Sequence, residues 1–150
     1  MNFELNIQES LKAAMRSKDQ AALRALRALK SAILLAKTEA GAGDGITDEQ
    51  GIKLVQKLVK QRKDSIAIYQ QQSRPDLSRE EEDELAILEK LLPQALSPEE
   101  LESLVRDVIA RTGATGKAQM GLVMSETIKA AGGRADGKTI SPLVARILGQ

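Results

Sequence analysis

Gly132-Gly133-Arg134-Ala135-Asp136-Gly137-Lys138-Thr139 satisfies, residue by residue, the pattern G-x-x-x-x-G-K-[ST] of a loop that cradles nucleotide phosphates. That chemistry needs a buried strand before the loop and a helix after it, so that backbone N–H groups converge on the phosphates. The residues ahead of the octet, Ser125-Glu126-Thr127-Ile128-Lys129-Ala130-Ala131, carry helical spacing instead. No stretch of the chain reads as a strand, so neither a nucleotide-binding sheet nor a strand-end acid for magnesium is expected. The octet is therefore read as a turn between two helices, with Gly132 and Gly133 giving backbone freedom at a helix end and Asp136 capping the next helix. One functional reading survives: Arg134, Lys138 and the glycine turn, Gly133 and Gly137 included, hold a phosphate of a larger ligand at a helix N-terminus, while free nucleotide is not expected.

Two further groups of charges stand out. Arg62 falls on an apolar stripe, where a lone cation is expected to pair with an acid of a neighbouring helix, and the run Glu80-Glu81-Glu82-Asp83-Glu84 supplies candidates. Lys53, Lys57 and Lys60 form a basic ribbon on another face of the same helix, and Arg24, Arg27 and Lys30 a row on the helix before it. Such faces are usually only solvated, but clustered lysines and arginines are also what nucleic-acid affinity draws on. With aromatics at 1% of the chain, Phe3 and Tyr69, there is little surface for stacking bases, so recognition would be of backbone and shape.

Catalysis has little support. The chain holds no Cys, His or Trp, which removes disulfides, zinc sites, catalytic thiols and the commonest general base, and no cofactor or metal is expected. No serine has a histidine partner or a lysine three residues on, and the acids at 80–84 mark a helix N-terminus rather than a carboxylate pair across a cleft. No apolar run approaches the roughly 20 residues needed to span a bilayer, and no secretory leader is visible, so a cytoplasmic protein without membrane contact is expected.

The elements that must position these residues are helices. The 150 residues are 42% hydrophobic and 29% charged, and the apolar part is Leu, Ile, Val, Ala and Met, a mixture suited to interlocking helices. Periodicity predicts a first helix over 6–18 and a second over 20–39, ending at Gly41-Ala42-Gly43-Asp44-Gly45. A third, over 47–72, opens with the capping box Thr47/Gln50 and carries Ile52, Val55, Val59, Ile66 and Tyr69 inward. A fourth follows the turn Ser73-Arg74-Pro75-Asp76, with Leu85, Leu88, Leu91 and Leu92 inward, and ends at Pro93. Ser97-Pro98-Glu99-Glu100 starts a fifth, with Ser97 as cap and Glu100 closing the box. A sixth over 117–131 turns Met120, Val123, Met124 and Ile128 inward, and a seventh over 137–148 turns Ile140, Val144, Ile147 and Leu148 inward. Pro142 has no N–H for Lys138, so the last helix either restarts at Ser141 or opens irregularly. The composition changes near 93–96, dividing the chain into 1–94 and 95–150.

Several stretches together resemble the YqeY family, the stand-alone relatives of the C-terminal tail of GatB, a subunit of the tRNA-dependent amidotransferase. They are Lys60-Gln61-Arg62-Lys63-Asp64-Ser65, Arg74-Pro75-Asp76-Leu77, Leu91-Leu92-Pro93-Gln94-Ala95-Leu96-Ser97, Met120-Gly121-Leu122-Val123-Met124 and Gly133-Arg134-Ala135-Asp136-Gly137-Lys138. The resemblance covers nearly the whole chain. It implies an all-α protein, an N-terminal bundle of about four helices joined to a small three-helix C-terminal domain. It implies kinship with a module that contacts the body of tRNA in an enzyme that amidates Glu-tRNA or Asp-tRNA with glutamine as nitrogen donor. The catalytic parts of that carbon–nitrogen ligase lie in other domains and subunits. The reading that follows is a non-catalytic tRNA-binding accessory protein, with Arg134, Lys138 and the glycine turn as one contact patch and Lys53, Lys57 and Lys60 as a second. The alternative is a helical adaptor for a protein partner or a second copy of itself, with no RNA role. A third reading, an amidotransferase component, depends on partners.

Overall fold

The computed structural model describes residues 2–39 and 45–149. Among them the chain is all-α: seven α-helices, one 3-10 turn and no strand. It divides into two compact units, Met1–Leu92 and Pro93–Gln150. The glycine-rich break expected at 41–45 lies, apart from Gly45, outside the described residues.

The first unit holds α1 (Phe3–Ser17), α2 (Gln20–Glu39), α3 (Asp48–Gln71) and α4 (Pro75–Lys90). α1 begins three residues earlier than its periodicity suggests, because Asn2 caps it, accepting the Leu5 N–H at 3.2 Å. Phe3 is core: its N–H donates to an Asp48 carboxylate oxygen at 3.0 Å. Its ring lies where a Cβ on Gly51 would stand. The next residue, Glu4, accepts from Lys37 Nζ at 2.9 Å and from the Ile46 N–H at 3.1 Å, joining the start of α1 and the end of α2 to the lead-in of α3. The Lys37 hydrogen bond holds the Glu4 carboxyl below its ordinary range.

α3 opens with the complete Thr47/Gln50 capping box. Leu26, Leu29 and Ile33 of α2, Val55, Leu58 and Val59 of α3, and Leu88 of α4 share the core with Phe3 and Ile7. Ile66 and Tyr69, expected inward, are only half-buried. α4 starts at Pro75 and folds back along the end of α3, with Glu81 level with Arg62, so Ile66 and Tyr69 meet that helix while staying partly open to solvent. Met15 is 51% exposed, since Ala14 takes the inward place at the end of α1.

The second unit holds α5 (Pro98–Thr112), the 3-10 turn Lys117–Gln119, α6 (Met120–Ala131) and α7 (Gly137–Leu148). Its core is Leu101, Val105, Val108, Val123, Ile140, Val144, Ile147 and Leu148. The expected sixth helix thus splits into the 3-10 turn and α6, and Ile128 faces outward. α7 starts at Gly137 under the Asp136 cap and continues through Pro142 without a restart. Pro142 deprives the Lys138 carbonyl of its helical partner, yet four buried side chains beyond Thr139 keep the helix packed.

Candidate phosphate-contact turn and basic face

The turn 132–137 is built by its two glycines. Gly132 ends α6 with φ 58° and Gly133 follows at φ 88°, both in the left-handed region that favours glycine. The Gly132 N–H donates to the Ile128 and Lys129 carbonyls at 3.3 and 3.2 Å, and the Arg134 N–H donates to the Ala131 carbonyl at 3.0 Å. Those two N–H groups point back into α6, the reverse of a phosphate cradle. Asp136 accepts the Thr139 N–H at 2.9 Å and the Thr139 hydroxyl at 2.7 Å. The hydroxyl that would face magnesium in a nucleotide site is thus engaged in capping α7.

Arg134 is engaged as well. Its Nε donates to the Gln94 carbonyl at 2.9 Å, its Nη2 lies 3.5 Å from a Glu100 carboxylate oxygen, and its own carbonyl accepts the Leu96 N–H at 2.9 Å. It staples the lead-in to α5 onto the turn. Glu100 therefore leaves its expected capping box half made. Ser97 accepts the Glu100 N–H at 3.1 Å, while the Glu100 carboxylate turns to Arg134.

The remaining cations differ in how far they are occupied. Lys138 is exposed in the first turn of α7 with no acid within ion-pair distance among the described residues. Lys53, Lys57 and Lys60 share the solvent face of α3, opposite buried Gly51, Val55, Leu58 and Val59. Lys53 lies 3.5 Å from Glu49 one turn away, whereas Lys57 and Lys60 have no acid partner among the described residues. On α2, Arg27 and Lys30 are exposed, but Arg24 turns toward α4, 3.7 Å from Glu84.

Arg62 lies inside the first unit. Its Nε is 3.3 Å from Glu81 and 3.8 Å from Glu84, and the three side chains are 19%, 22% and 11% exposed. Arg62 Nε and Glu81 Oε2 face each other as ions without hydrogen-bond geometry. Burial pushes the Glu84 carboxyl up, more than Arg62 and Arg24 pull it down. Glu84 thus joins α2, α3 and α4 through two arginines. Sequence reasoning offered Glu84 only as one of the five acids of the run. The available signal was its place four residues before Leu88, on the inner stripe of α4.

Among the described residues no three His, Cys, Asp or Glu side chains stand together as a metal site. No helix among them is long and apolar enough to cross a membrane.

Known proteins bear on this arrangement in two ways. A family model described as Yqey-like protein matches residues 4–148. The chain is also 30% identical over 146 residues to "Altered inheritance of mitochondria protein 41, mitochondrial" of Pyrenophora tritici-repentis, an alignment covering 95% of this chain and 79% of that protein.

Proposed function

Because this chain belongs to the YqeY family, whose model spans 4–148, we propose that it is a non-catalytic RNA-binding accessory protein whose ligand is tRNA. The observation that carries the reading is Lys138: an exposed lysine with no acid partner among the described residues, over the first turn of α7, where helices leave N–H groups without intrahelical partners and the dipole favours an anion. Lys57 and Lys60 supply a second exposed pair on α3, without acid partners among the described residues, and Lys53 extends their row. Gly133 and Gly137 shape the turn. Arg134 serves it chiefly from behind, through Gln94 and Glu100. The resemblance to the GatB tail supports tRNA over other RNA and a role beside glutamine-dependent amidation, with the catalysis in other chains.

A filter-binding titration of tRNA at low salt tests this. Retention should fall steeply as salt rises, and Lys138→Ala should weaken it several-fold and make the dependence on log salt shallower by slightly less than one. Lys57→Ala/Lys60→Ala should act the same way. A chain that retains no tRNA at low salt sinks the reading.

The adaptor reading draws on Leu34 and Leu35, which stand more than half exposed on α2. A protein partner captured equally well after nuclease treatment, with no RNA recovered, would favour it. The proposed location is the cytoplasm, and because the matched relative is described as mitochondrial, fractionation of cells expressing the tagged chain decides between the two compartments.

A further inference from the structure

A groove of about 490 Å³ runs between α5 and the end of α6, within the second unit. Leu96, Leu104, Ala130 and Ala131 give it an apolar floor, kept low by the two alanines. Its rim is acidic: Glu99 and Asp107 stand on α5 eight residues apart, with Ser103 midway and Glu100 beside them. Eight residues of helix rise about 12 Å, so the two carboxylates lie on one face two turns apart.

Some surface acids are paired along their own helix. Glu9, Glu49, Glu102 and Glu126 each meet a lysine or arginine three or four residues along their own helix. Ser103 occupies the one position from which a single lysine would lie four residues from both Glu99 and Asp107. Neither acid has a cation within ion-pair distance among the described residues, and Arg134, the one cation lining the groove, is met by Glu100. Glu99 stands in the first turn of α5, where the helix dipole favours an acid, and Arg111 lies four residues beyond Asp107; even so, three carboxylates against one guanidinium leave the lining net negative beside apolar surface.

We propose that this groove docks a basic amphipathic helix of a protein partner. Leucine-sized side chains of that helix lie on Ala130, Ala131 and Leu104, and two of its lysines or arginines, seven or eight residues apart, meet Glu99 and Asp107. This is the helix-in-groove mode, with apolar anchors giving affinity and the charges giving register and on-rate. Lys138, Lys53, Lys57 and Lys60 do not line this groove, so peptide docking and RNA binding can be tested apart.

The test uses the full chain and two synthetic helical peptides of leucine with either lysine or glutamate, the charged residues seven apart, followed by fluorescence anisotropy and by amide NMR shifts. The lysine peptide should bind, with shifts centred on 96–107 and 130–134, and the glutamate peptide should not. Ser103→Lys, a surface change that neutralises both acids and favours the helix, should weaken binding at least tenfold, as should Glu99→Lys/Asp107→Lys. Ala130→Trp, which fills the floor, should abolish binding, with circular dichroism confirming that each variant is folded. Glu9→Lys/Glu49→Lys, equal in charge change but in the other unit, should leave binding unchanged. No binding of the lysine peptide, equal loss in the control variant, or shifts of the groove amides with tRNA instead would each overturn the proposal. Loss of tRNA binding in Lys138→Ala addresses the RNA reading alone, so the two fail separately.

Discussion

The two units solve the same problem, closing a small helical core, with opposite use of charge. In the first, Arg62, Arg24, Glu81 and Glu84 meet between helices, and a carboxylate buried well enough to have its proton affinity raised sits where three helices converge. In the second, the core is aliphatic apart from Thr127, and the ion pairs stay at the rim: Arg134 with Glu100, and Arg106 and Arg146 with Glu102. Both Arg62 and Arg134 lie in stretches on which the resemblance to the family rests. The contrast teaches that a cation in such a stretch is read by its surroundings: one is an interior cross-link, the other a surface staple beside a turn.

Arg62→Leu should break this contrast most strongly. It leaves Glu81 and Glu84 without their shared cation, and at this burial the loss should be about 3 kcal/mol in urea denaturation. Converting Glu81 and Glu84 to Leu as well should recover most of it, because an apolar replacement of a whole buried network is close to neutral. If Arg62→Leu is no worse than a surface change, the interior cross-link is not what closes the first unit. The same site has a pH signature. The Glu84 proton is held more tightly in the folded chain than in the unfolded one, so its ionisation removes stability as pH rises from the ordinary carboxylate value through the raised one. Against Glu84→Gln, the parent chain should therefore gain relative stability on acidification through that window. Glu4 runs the other way, its lowered carboxyl contributing stability that is lost as pH falls through the folded value.

Gly51→Ala ranks next. The added Cβ meets the Phe3 ring, so the ring must leave its place, and against a gain in helix propensity of about 1 kcal/mol the net loss should be about 2 kcal/mol. Hydrogen exchange should report the opening at α1 and the start of α3 while α5, α6 and α7 keep their protection. Thr127→Val tests the second unit in the opposite direction. The Thr127 hydroxyl is fully buried without a hydrogen-bond partner among the described residues, so a methyl in its place should stabilise by about 1 kcal/mol. A loss there would mean that the aliphatic core depends on a polar contact after all.

The helices were legible because their starts carry chemistry: Thr47 with Gln50, Ser97 with Pro98, and Asp136 each cap where the pattern places them. The start of α1 was not, since Phe3 reaches the core before any helical stripe is established and is fixed by Gly51, 48 residues on. The acids facing Arg62 could be narrowed to a run of five, but choosing Glu81 and Glu84 takes the register of α4 against α3. The occupation of Arg134 had no signal at all, because its strongest partner is the Gln94 carbonyl, and every residue has one. For that reason the sequence offers Arg134 and Lys138 as equals, whereas the structure engages the first and leaves the second exposed.

Arg134→Ala is the smallest of these effects on stability and the most informative about function. The side chain is 43% exposed, so loss of its pairing should cost within about 1 kcal/mol. Its expected effect on tRNA is indirect, through a loosened lead-in to α5 and a less fixed turn, and so should change the salt dependence of retention little. Lys138→Ala should change that dependence and hardly touch stability. Hydrogen exchange at Leu96, whose N–H is held by the Arg134 carbonyl, should speed up in the first variant only. If Arg134→Ala instead flattens the salt dependence as Lys138→Ala is expected to, the guanidinium exchanges Glu100 for a phosphate on binding, and the staple is itself part of the contact.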